Sequence, residues 1–304
     1  MDEESTAGGA GSPARDGEAA PFPSLRSFLF VPGSRPGLFS KAMASGADGV
    51  CVDLEDAVGP GAKGEARERT AALLRDEVPS APPGPRSPLV MVRMNAPTVP
   101  AGARDLEALT ALNRPPDAVL IPMVRDPDEV ETVADALCGS GSPVRLVPLV
   151  ETARGLAAVE ELAVAADAVA ALLLGGHDLS LELGARTDWE PLLYARSRLV
   201  HAAALAGIDA LDMPLLDLSD AEGLRAEARA ARALGFTGKA AIHPDQVDPI
   251  QEIFTPDAGE VEEARRVVEA YHAAEGNAVL LDGRVVDRPI LEAALRTLAR
   301  VGGG

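Results

Sequence analysis

Cysteine, histidine, aromatic side chains and positive charge are all scarce in this chain of 304 residues. Its 2 cysteines, Cys51 and Cys138, show no Cys-x-x-Cys or His-rich spacing, which excludes a disulfide scaffold and argues against a thiolate metal site. Both read as ordinary thiols, in keeping with a reducing cytoplasm. Lys and Arg number 28 against 47 Asp and Glu, a formal charge of −19. The basic residues are scattered among those acids, so no stripe exists for a polyphosphate and nucleic acid is excluded as a partner. A small anion held by local donors remains compatible. No apolar run is long enough to cross a bilayer, which argues against a membrane role. What is abundant is Ala, Leu and Val, with 47% of residues hydrophobic, the composition of a soluble globular protein.

Residues 1–24 are rich in Gly, Ala, Ser, Pro and acids, bury too little to offset chain entropy, and are expected to be a disordered tail. The tail has neither a basic start nor an apolar core segment, so it is not read as a signal peptide. From residue 26 onward, short β-branched or Leu-rich runs alternate with longer amphipathic stretches, the pattern of repeated βα units. Strands are expected at 27–31, 49–54, 89–94, 118–123, 145–150, 170–174, 210–213 and 239–242. Helical patterns lie near 36–45, 63–77, 104–112, 127–137, 155–165, 191–206, 220–234 and 245–253. Asp126-Pro127 opens one of them, and Gly207 and Gly235 close two others. Residues 80–88 are too proline-rich for helix or strand and are expected to form an exposed connection. Eight repeats point to the α/β class and a (β/α)8 TIM barrel, over residues 25–256. Residues 257–304 follow as a helix, a hairpin turned by Asp282-Gly283 and a last helix from Pro289, a C-terminal helix-hairpin-helix lid extension. A hairpin beyond a closed barrel has no sheet to join, so it is expected to fold over its own site or a neighbour's.

Barrel enzymes place their chemistry after the strand C-termini. The expected ends carry Ser34-Arg35, Asp53-Leu-Glu55-Asp56, Arg93-Met-Asn95, Pro122, Glu151-Thr152, Gly175-Gly176-His177-Asp178, Asp212 and His243-Pro244. Glu151 and Asp178 follow consecutive strands. If those strands are neighbours, about 5 Å apart, the two carboxylates can hold one hard divalent cation, with waters and substrate filling the other positions. Mg²⁺ suits such oxygen ligands, and so does Mn²⁺. The alternatives are a first-turn acid on the next helix for Glu151 and, for Asp178, a cap on the turn beginning at Leu179. Arg93 ends an apolar strand, where its fork can take a substrate carboxylate bidentately or pair with Glu55 and Asp56. The glycines Gly175 and Gly176 allow backbone N–H groups to approach a ligand, and His177 beside them reads as a substrate-lining or hydrogen-bonding residue. Lys239 is a candidate Schiff-base lysine by type, but its place at the start of a strand favours a structural role.

In order along the chain, Arg-Ser-Phe-Leu-Phe-Val-Pro-Gly at 26–33, Asp-Leu-Glu-Asp-Ala-Val at 53–58, Val-Arg-Met-Asn at 92–95 and Val-Glu-Thr-Ala-Arg-Gly at 150–155 form the first half of a motif set. Gly-Gly-His-Asp-Leu at 175–179, Gly-Phe-Thr-Gly-Lys-Ala-Ala-Ile-His-Pro at 235–244 and Val-Asp-Arg-Pro at 286–289 complete it. With this set the chain resembles the citrate lyase β-subunit-like branch of the HpcH/HpaI aldolase superfamily, which includes malyl-CoA and citramalyl-CoA lyases.

The resemblance implies a Mg²⁺-dependent carbon–carbon lyase that divides a 3-hydroxyacyl-CoA ester into an acyl-CoA and a 2-oxo acid, or joins them. It implies metal ligation by Glu151 and Asp178, a carboxylate-binding Arg93, and Glu55 and Asp56 holding the metal's waters and the arginine. It assigns Ser34, Arg35, Ile242, His243 and Pro244 to the coenzyme A arm. It also implies a homo-oligomer, a trimer or hexamer, in which the C-terminal segment crosses to a neighbour and supplies Asp287 as acid/base. His177 stands where the family often has an acid, a departure that bears on substrate preference. Two other readings share these residues: a CoA-independent, metal-dependent 2-oxo-acid aldolase, and a citrate lyase β subunit active only with an acyl-carrier protein. The first typically carries a histidine in the second-strand motif, where this chain has Asp53-Leu-Glu-Asp.

Overall fold

A computed structural model describes residues 22–76, 78, 87–139 and 143–302. Eight parallel strands close into a barrel in sequence order: β1 (Ser27–Pro32), β2 (Gly49–Asp53), β3 (Leu89–Arg93), β4 (Ala118–Ile121), β5 (Arg145–Val150), β6 (Ala171–Leu174), β7 (Asp209–Asp212) and β8 (Gly238–Ala241). Each expected strand is present, shifted by no more than two residues at either end, and helices cover the outside. The chain is thus a (β/α)8 TIM barrel.

Alternation along each strand divides the core in two, because successive side chains point to opposite faces. Phe28, Cys51, Leu89, Met91, Leu120, Val147, Leu149, Leu173 and Leu211 fill the barrel interior. The intervening residues, among them Leu29, Val50, Val52, Val90, Val92, Val119 and Leu172, pack under the helices. Extending the inward parity to the strand ends aims Phe30, Asp53, Arg93 and Glu151 into the mouth. The same rule turns Asp212 and Lys239 outward. Asp212 therefore does not belong to the mouth, a correction to its place among the strand-end residues above.

The helix signals act as expected. Asp126 accepts a hydrogen bond from the Asp128 N–H with Pro127 in the first turn, and Gly207 (φ 72°) and Gly235 (φ 114°) close their helices in the left-handed region. Two features differ. The helix expected at 155–165 is two short ones, Ala153–Ala157 and Val159–Ala163, and an unforeseen helix, Gly176–Leu183, follows β6 at once. Of the tail assigned to 1–24, residues 1–21 lie outside the described residues, while Phe22 packs against the inner core. Most of the proline-rich connection at 80–88 also lies outside them.

After the helix Ala258–Ala273 come two antiparallel strands, β9 (Val279–Leu281) and β10 (Arg284–Val286), and the helix Arg288–Gly302. Asp282 (φ 50°) and Gly283 (φ 78°) form the turn, both left-handed as a two-residue hairpin of this hand requires. Val286, Ala264, Val267 and Ala294 make this segment a small core of its own.

Candidate active site

Arg93 organises the mouth. It is paired in register with Asp53 on the neighbouring strand, so a parallel ladder sets the two side chains beside each other. Nε and Nη2 each donate to one Asp53 oxygen at 2.7 Å, a bidentate clasp. Asp53 is 1% exposed, and its two oxygens also accept the N–H groups of Glu55 and Ala57 at 2.9 Å. Nη1 faces the other acids, 2.9 Å from Glu55 and 3.4 Å from Asp56. Glu55 Oε2 lies off the N–H direction, so this contact is an ion pair without a hydrogen bond. The Phe30 ring covers the guanidinium, with 5.0 Å between Cζ and the ring centre. Burial opposes the charge of Arg93, but the Asp53 hydrogen bonds and the three acids more than restore it and raise its pKa.

The Asp53–Ala57 loop is gripped from beneath. Lys63 Nζ donates to the carbonyls of Leu54 and Glu55, and Asn95 Nδ2 donates to Leu54 O while bonding to the fully buried Asp105. These contacts hold Glu55 half-buried at the rim and leave Asp56 exposed. Of the three acids in the motif, then, Asp56 is the one that reaches solvent.

Glu151 and Asp178 sit on the facing wall, and β5 and β6 are indeed neighbours. The helix after β5 starts at Ala153 with Thr152 as its cap, accepting from Gly155 N–H, so Glu151 precedes the helix and is not a first-turn acid of it. Glu151 is 3% exposed, and its Oε1 accepts the Met123 N–H at 2.6 Å. Met123 is one of three non-glycine residues at positive φ among the described residues (56°), a strained conformation at the end of β4 that presents its N–H to the site. A Cβ on Gly175 would lie 2.4 Å from Glu151 Oε2. The glycine is thus required by the packing of Glu151, a different reason from the ligand approach expected of it. Gly175 caps the helix Gly176–Leu183, which places Asp178 inside the first turn, neither on a loop nor at the cap. Asp178 is exposed, and its carboxyl feels the charges of Asp56 and Arg93 at the mouth.

Burial, followed by the charge of Asp178, pushes the Glu151 carboxyl up to about 7, against the Met123 N–H and the charge of Arg93. Asp178 is raised too, by burial and by Asp56, with Arg93 and His177 opposing. Glu55 is raised chiefly by burial, and Arg93 opposes it. Each of these carboxyls feels Arg93. The mouth is therefore one electrostatic unit with more negative charge than one guanidinium neutralises.

Among the described residues no three His, Cys, Asp or Glu side chains form a ready-made metal cluster. What the mouth offers is one buried carboxylate fixed through one oxygen and one carboxylate open to solvent. That donor set fits a hard cation that takes one or two carboxylates and completes its octahedron with waters and ligand.

The other expected residues fall in two groups. Ser34 and Arg35 follow β1, and Ile242, His243 and Pro244 follow β8, and these strands are neighbours, so the five residues share one side of the rim. His243 Nδ1 accepts the Asp245 N–H. His177 is turned to the loop after β7, where Nε2–H donates to Pro214 O at 3.3 Å. Asp287 belongs to the C-terminal segment. It begins the last helix, accepting the Ile290 N–H at 3.3 Å, within the self-packed C-terminal segment. The far end of that helix lies toward the opposite rim, since Arg300 acts electrostatically on Asp209 at the start of β7.

A model of the HpcH/HpaI aldolase/citrate lyase family matches residues 26–244. The chain belongs to that family. It is 36% identical over 289 residues to the L-malyl-CoA/beta-methylmalyl-CoA lyase of Cereibacter sphaeroides, covering 85% of this chain and 89% of the relative. It is 33% identical over 292 residues to the mitochondrial citramalyl-CoA lyase of Homo sapiens, covering 90% and 84%. The solved structure of CitE from Mycobacterium tuberculosis in complex with magnesium, acetoacetate and coenzyme A superposes with a TM-score of 0.76 at 34% identity, over 92% of this chain and 98% of that one. The family is one of lyases and aldolases, and this member keeps its barrel.

Asp53 is the side chain at the mouth that the sequence reading left without a role of its own. The signal was available: it is the last inward position of β2, opposite the last inward position of β3. Lys63 and Asp105 gave no such signal, because only the fold brings their helices to the loop.

Proposed function

We propose that the chain is a Mg²⁺-dependent carbon–carbon lyase acting on a 3-hydroxyacyl-CoA ester of the malyl, citramalyl or citryl type. The observation that carries this reading is that Glu151, just past β5, and Asp178, in the helix that follows the neighbouring β6, lie at the mouth that Arg93 also faces, close enough for Glu151 to feel the charge of Asp178 and for both to feel that of Arg93. Glu151 and Asp178 would hold the cation. Bound Mg²⁺ would supply Lewis-acid charge for the oxygen that alternates between hydroxyl and ketone.

Arg93 binds the carboxylate of the 2-oxo acid through its outer N–H groups. Asp53 fixes the plane of the guanidinium, and Phe30 limits its access to water. Glu55 and Asp56 hold Nη1 toward the substrate and yield to the incoming carboxylate, a displacement made easier by the raised pKa of Glu55. The coenzyme A arm leaves across the β1–β8 rim, past Ser34, Arg35, Ile242, His243 and Pro244. Gly175, Gly176 and His177 lie on the β6 side of the mouth. In cleavage the hydroxyl proton passes to water, the C3 oxygen becomes the ketone of the 2-oxo acid as the bond between C2 and C3 breaks, and the electron pair of that bond passes to the thioester α-carbon, which takes a proton. Asp287 of a second copy is the donor, and in condensation it removes that proton.

Residues 257–304 form the lid that carries Asp287. The cross-strand pair Leu280 and Val285 supports a lid that docks elsewhere, being 69% and 61% exposed on the face away from the segment's own core. A homo-oligomer follows, because the site lacks its acid/base without a neighbour. No helix among the described residues is long and apolar enough to cross a membrane.

The test is purified protein with Mg²⁺ and a panel of malyl-, methylmalyl-, citramalyl- and citryl-CoA, with 2-oxo acid release as the readout. Release from at least one ester, abolished by EDTA, is expected. Turnover only of CoA-free aldols, or only of carrier-bound thioesters, would replace this reading with one of the two others named above.

A further inference from the structure

The loop after β7 shows an arrangement that the chemistry above does not use. Three consecutive carbonyls, those of Met213, Pro214 and Leu215, each accept a side-chain hydrogen bond from a different element. Lys239 Nζ on β8 donates to Met213 O at 2.6 Å, His177 Nε2 to Pro214 O at 3.3 Å, and Gln246 Nε2 to Leu215 O at 2.8 Å. Loop carbonyls at a barrel rim are ordinarily left to water, so three successive side-chain donors specify where this piece of chain lies.

Two of the three donors are themselves fixed by further contacts. Lys239 is fully buried and also donates to Asp212 at 2.8 Å and Glu227 at 2.7 Å. Gln246 is 4% exposed, and its Oε1 accepts the N–H groups of Ile242 and His243 at the end of β8. On the other side lies the helix Gly176–Leu183. A Cβ on Gly176 would sit 2.1 Å from Met213 Sδ, so the first turn of this helix rests directly on Met213. Asp178 is in that turn.

We propose that Lys239 and Gln246 are positioning residues: they hold 213–215 as a rail on which the first turn of the Gly176–Leu183 helix is seated, and so fix Asp178 opposite Glu151. The inference rests on the metal reading of Glu151 and Asp178. It gives Lys239 a purpose that is neither Schiff-base chemistry nor barrel stability alone. It also joins the β8 end to the cation side of the mouth through one short run of backbone.

The experiment uses the full chain and Mg²⁺ alone. Gln246→Glu keeps the oxygen that accepts Ile242 and His243 but replaces the donor to Leu215 with an oxygen. Lys239→Met removes the donor to Met213. Two quantities are read: the Mg²⁺ dissociation constant by calorimetry, and amide hydrogen exchange at 176–179 without added metal. Leu137→Ala, in the distant helix Pro127–Cys138, serves as a control for general destabilisation.

The expected result is exchange at 176–179 faster than in the control, with Mg²⁺ binding weakened about tenfold or more, the usual scale for loss of an outer support of a metal ligand. If Lys239→Met does not fold, Gln246→Glu decides. Unchanged exchange at 176–179 in a folded variant would overturn the proposal, whatever the Mg²⁺ affinity. Faster exchange with wild-type Mg²⁺ affinity would also overturn it, since Asp178 would then not depend on the rail. Wild-type protein that binds no Mg²⁺ would instead refute the metal reading, and with it any rail that serves a metal.

Discussion

Arg93 and Arg196 are each clasped by an aspartate at the end of a strand, yet the two clusters have opposite characters. Arg93 points into the barrel, where Asp53 holds one edge of it and its remaining N–H groups face a rim of acids reachable from solvent. Arg196 lies between barrel and helices. Its partners Asp212 and Glu227 are shared with Lys239, Trp189 stacks on it at 4.4 Å, and Arg196, Asp212 and Lys239 are 0% exposed. The same residue types give an open cluster on the inward parity and a closed one on the outward parity. The closed cluster is sealed from solvent, whereas the open one turns Nη1 of Arg93 toward acids at the rim. Strand alternation, more than residue identity, separates chemistry from architecture here.

The comparison breaks most visibly through the closed cluster. Asp212→Ala leaves Lys239 and Arg196 buried with only Glu227, the more exposed of their two shared partners, and is expected to destabilise the fold by about 3–5 kcal/mol in denaturant titration. A loss under 1 kcal/mol would mean that the cluster is not what ties β7 and β8 to the helices.

Removing a charge from the open cluster has the reverse signature. For Glu151→Gln, lyase turnover is expected to fall by about 10²–10³-fold, or about 3–4 kcal/mol, together with the Mg²⁺ response. Stability should not fall. The folded Glu151 carboxyl titrates near 7, above its ordinary value, so the folded state binds the extra proton and its stability declines as pH rises toward 7. Above that pH the neutral glutamine is expected to gain about 1–3 kcal/mol over wild type. A variant both inactive and unstable at pH 8 would show Glu151 to be a structural carboxylate.

Asp53→Asn probes the hinge between the clusters, because Asp53 is as buried as Asp212 but serves a ligand-facing arginine. KM for the 2-oxo acid in condensation is expected to rise about tenfold, with a smaller change in kcat, from loss of the charge-assisted clasp worth about 1–3 kcal/mol. An unchanged KM would place Arg93 outside the carboxylate site. The smallest effect is on pH dependence. Mg²⁺ must displace the proton from Glu151, so its affinity should weaken by up to about tenfold, about 1.4 kcal/mol, for each unit below 7, and level off above it. Calorimetry from pH 5.5 to 8.5 would show this, and a flat profile would remove Glu151 from the ligands.

The β/α alternation made the barrel legible because interior and outer cores demand apolar residues at alternate positions of every strand, and a run such as 89–93 can satisfy both only as a strand. Arg93 and Glu151 stood out for the same reason, as polar residues interrupting that demand at a strand end, whereas Asp178 lies past its strand in the first turn of a helix. Three things were not legible. Asp212 was counted with the mouth because its strand end was read without its parity. The helix at Gly176–Leu183 was read as a loop because two glycines are poor helix formers, and only the side chains of Glu151 and Met213 show why the backbone needs them there. Asp287, expected from the family resemblance to serve a neighbour's site, is the third, because one chain shows it only at the start of its last helix beside its own hairpin.

The most direct measurement is a crystal structure of the protein grown with Mn²⁺ and a 2-oxo acid, read by anomalous scattering. One metal peak is expected in the mouth, about 2.0–2.2 Å from one oxygen each of Glu151 and Asp178, with the 2-oxo acid completing its shell and its carboxylate on Arg93. A peak bonded to neither carboxylate, or a 2-oxo acid bound on the far side of Arg93 from the metal, would contradict the proposed site.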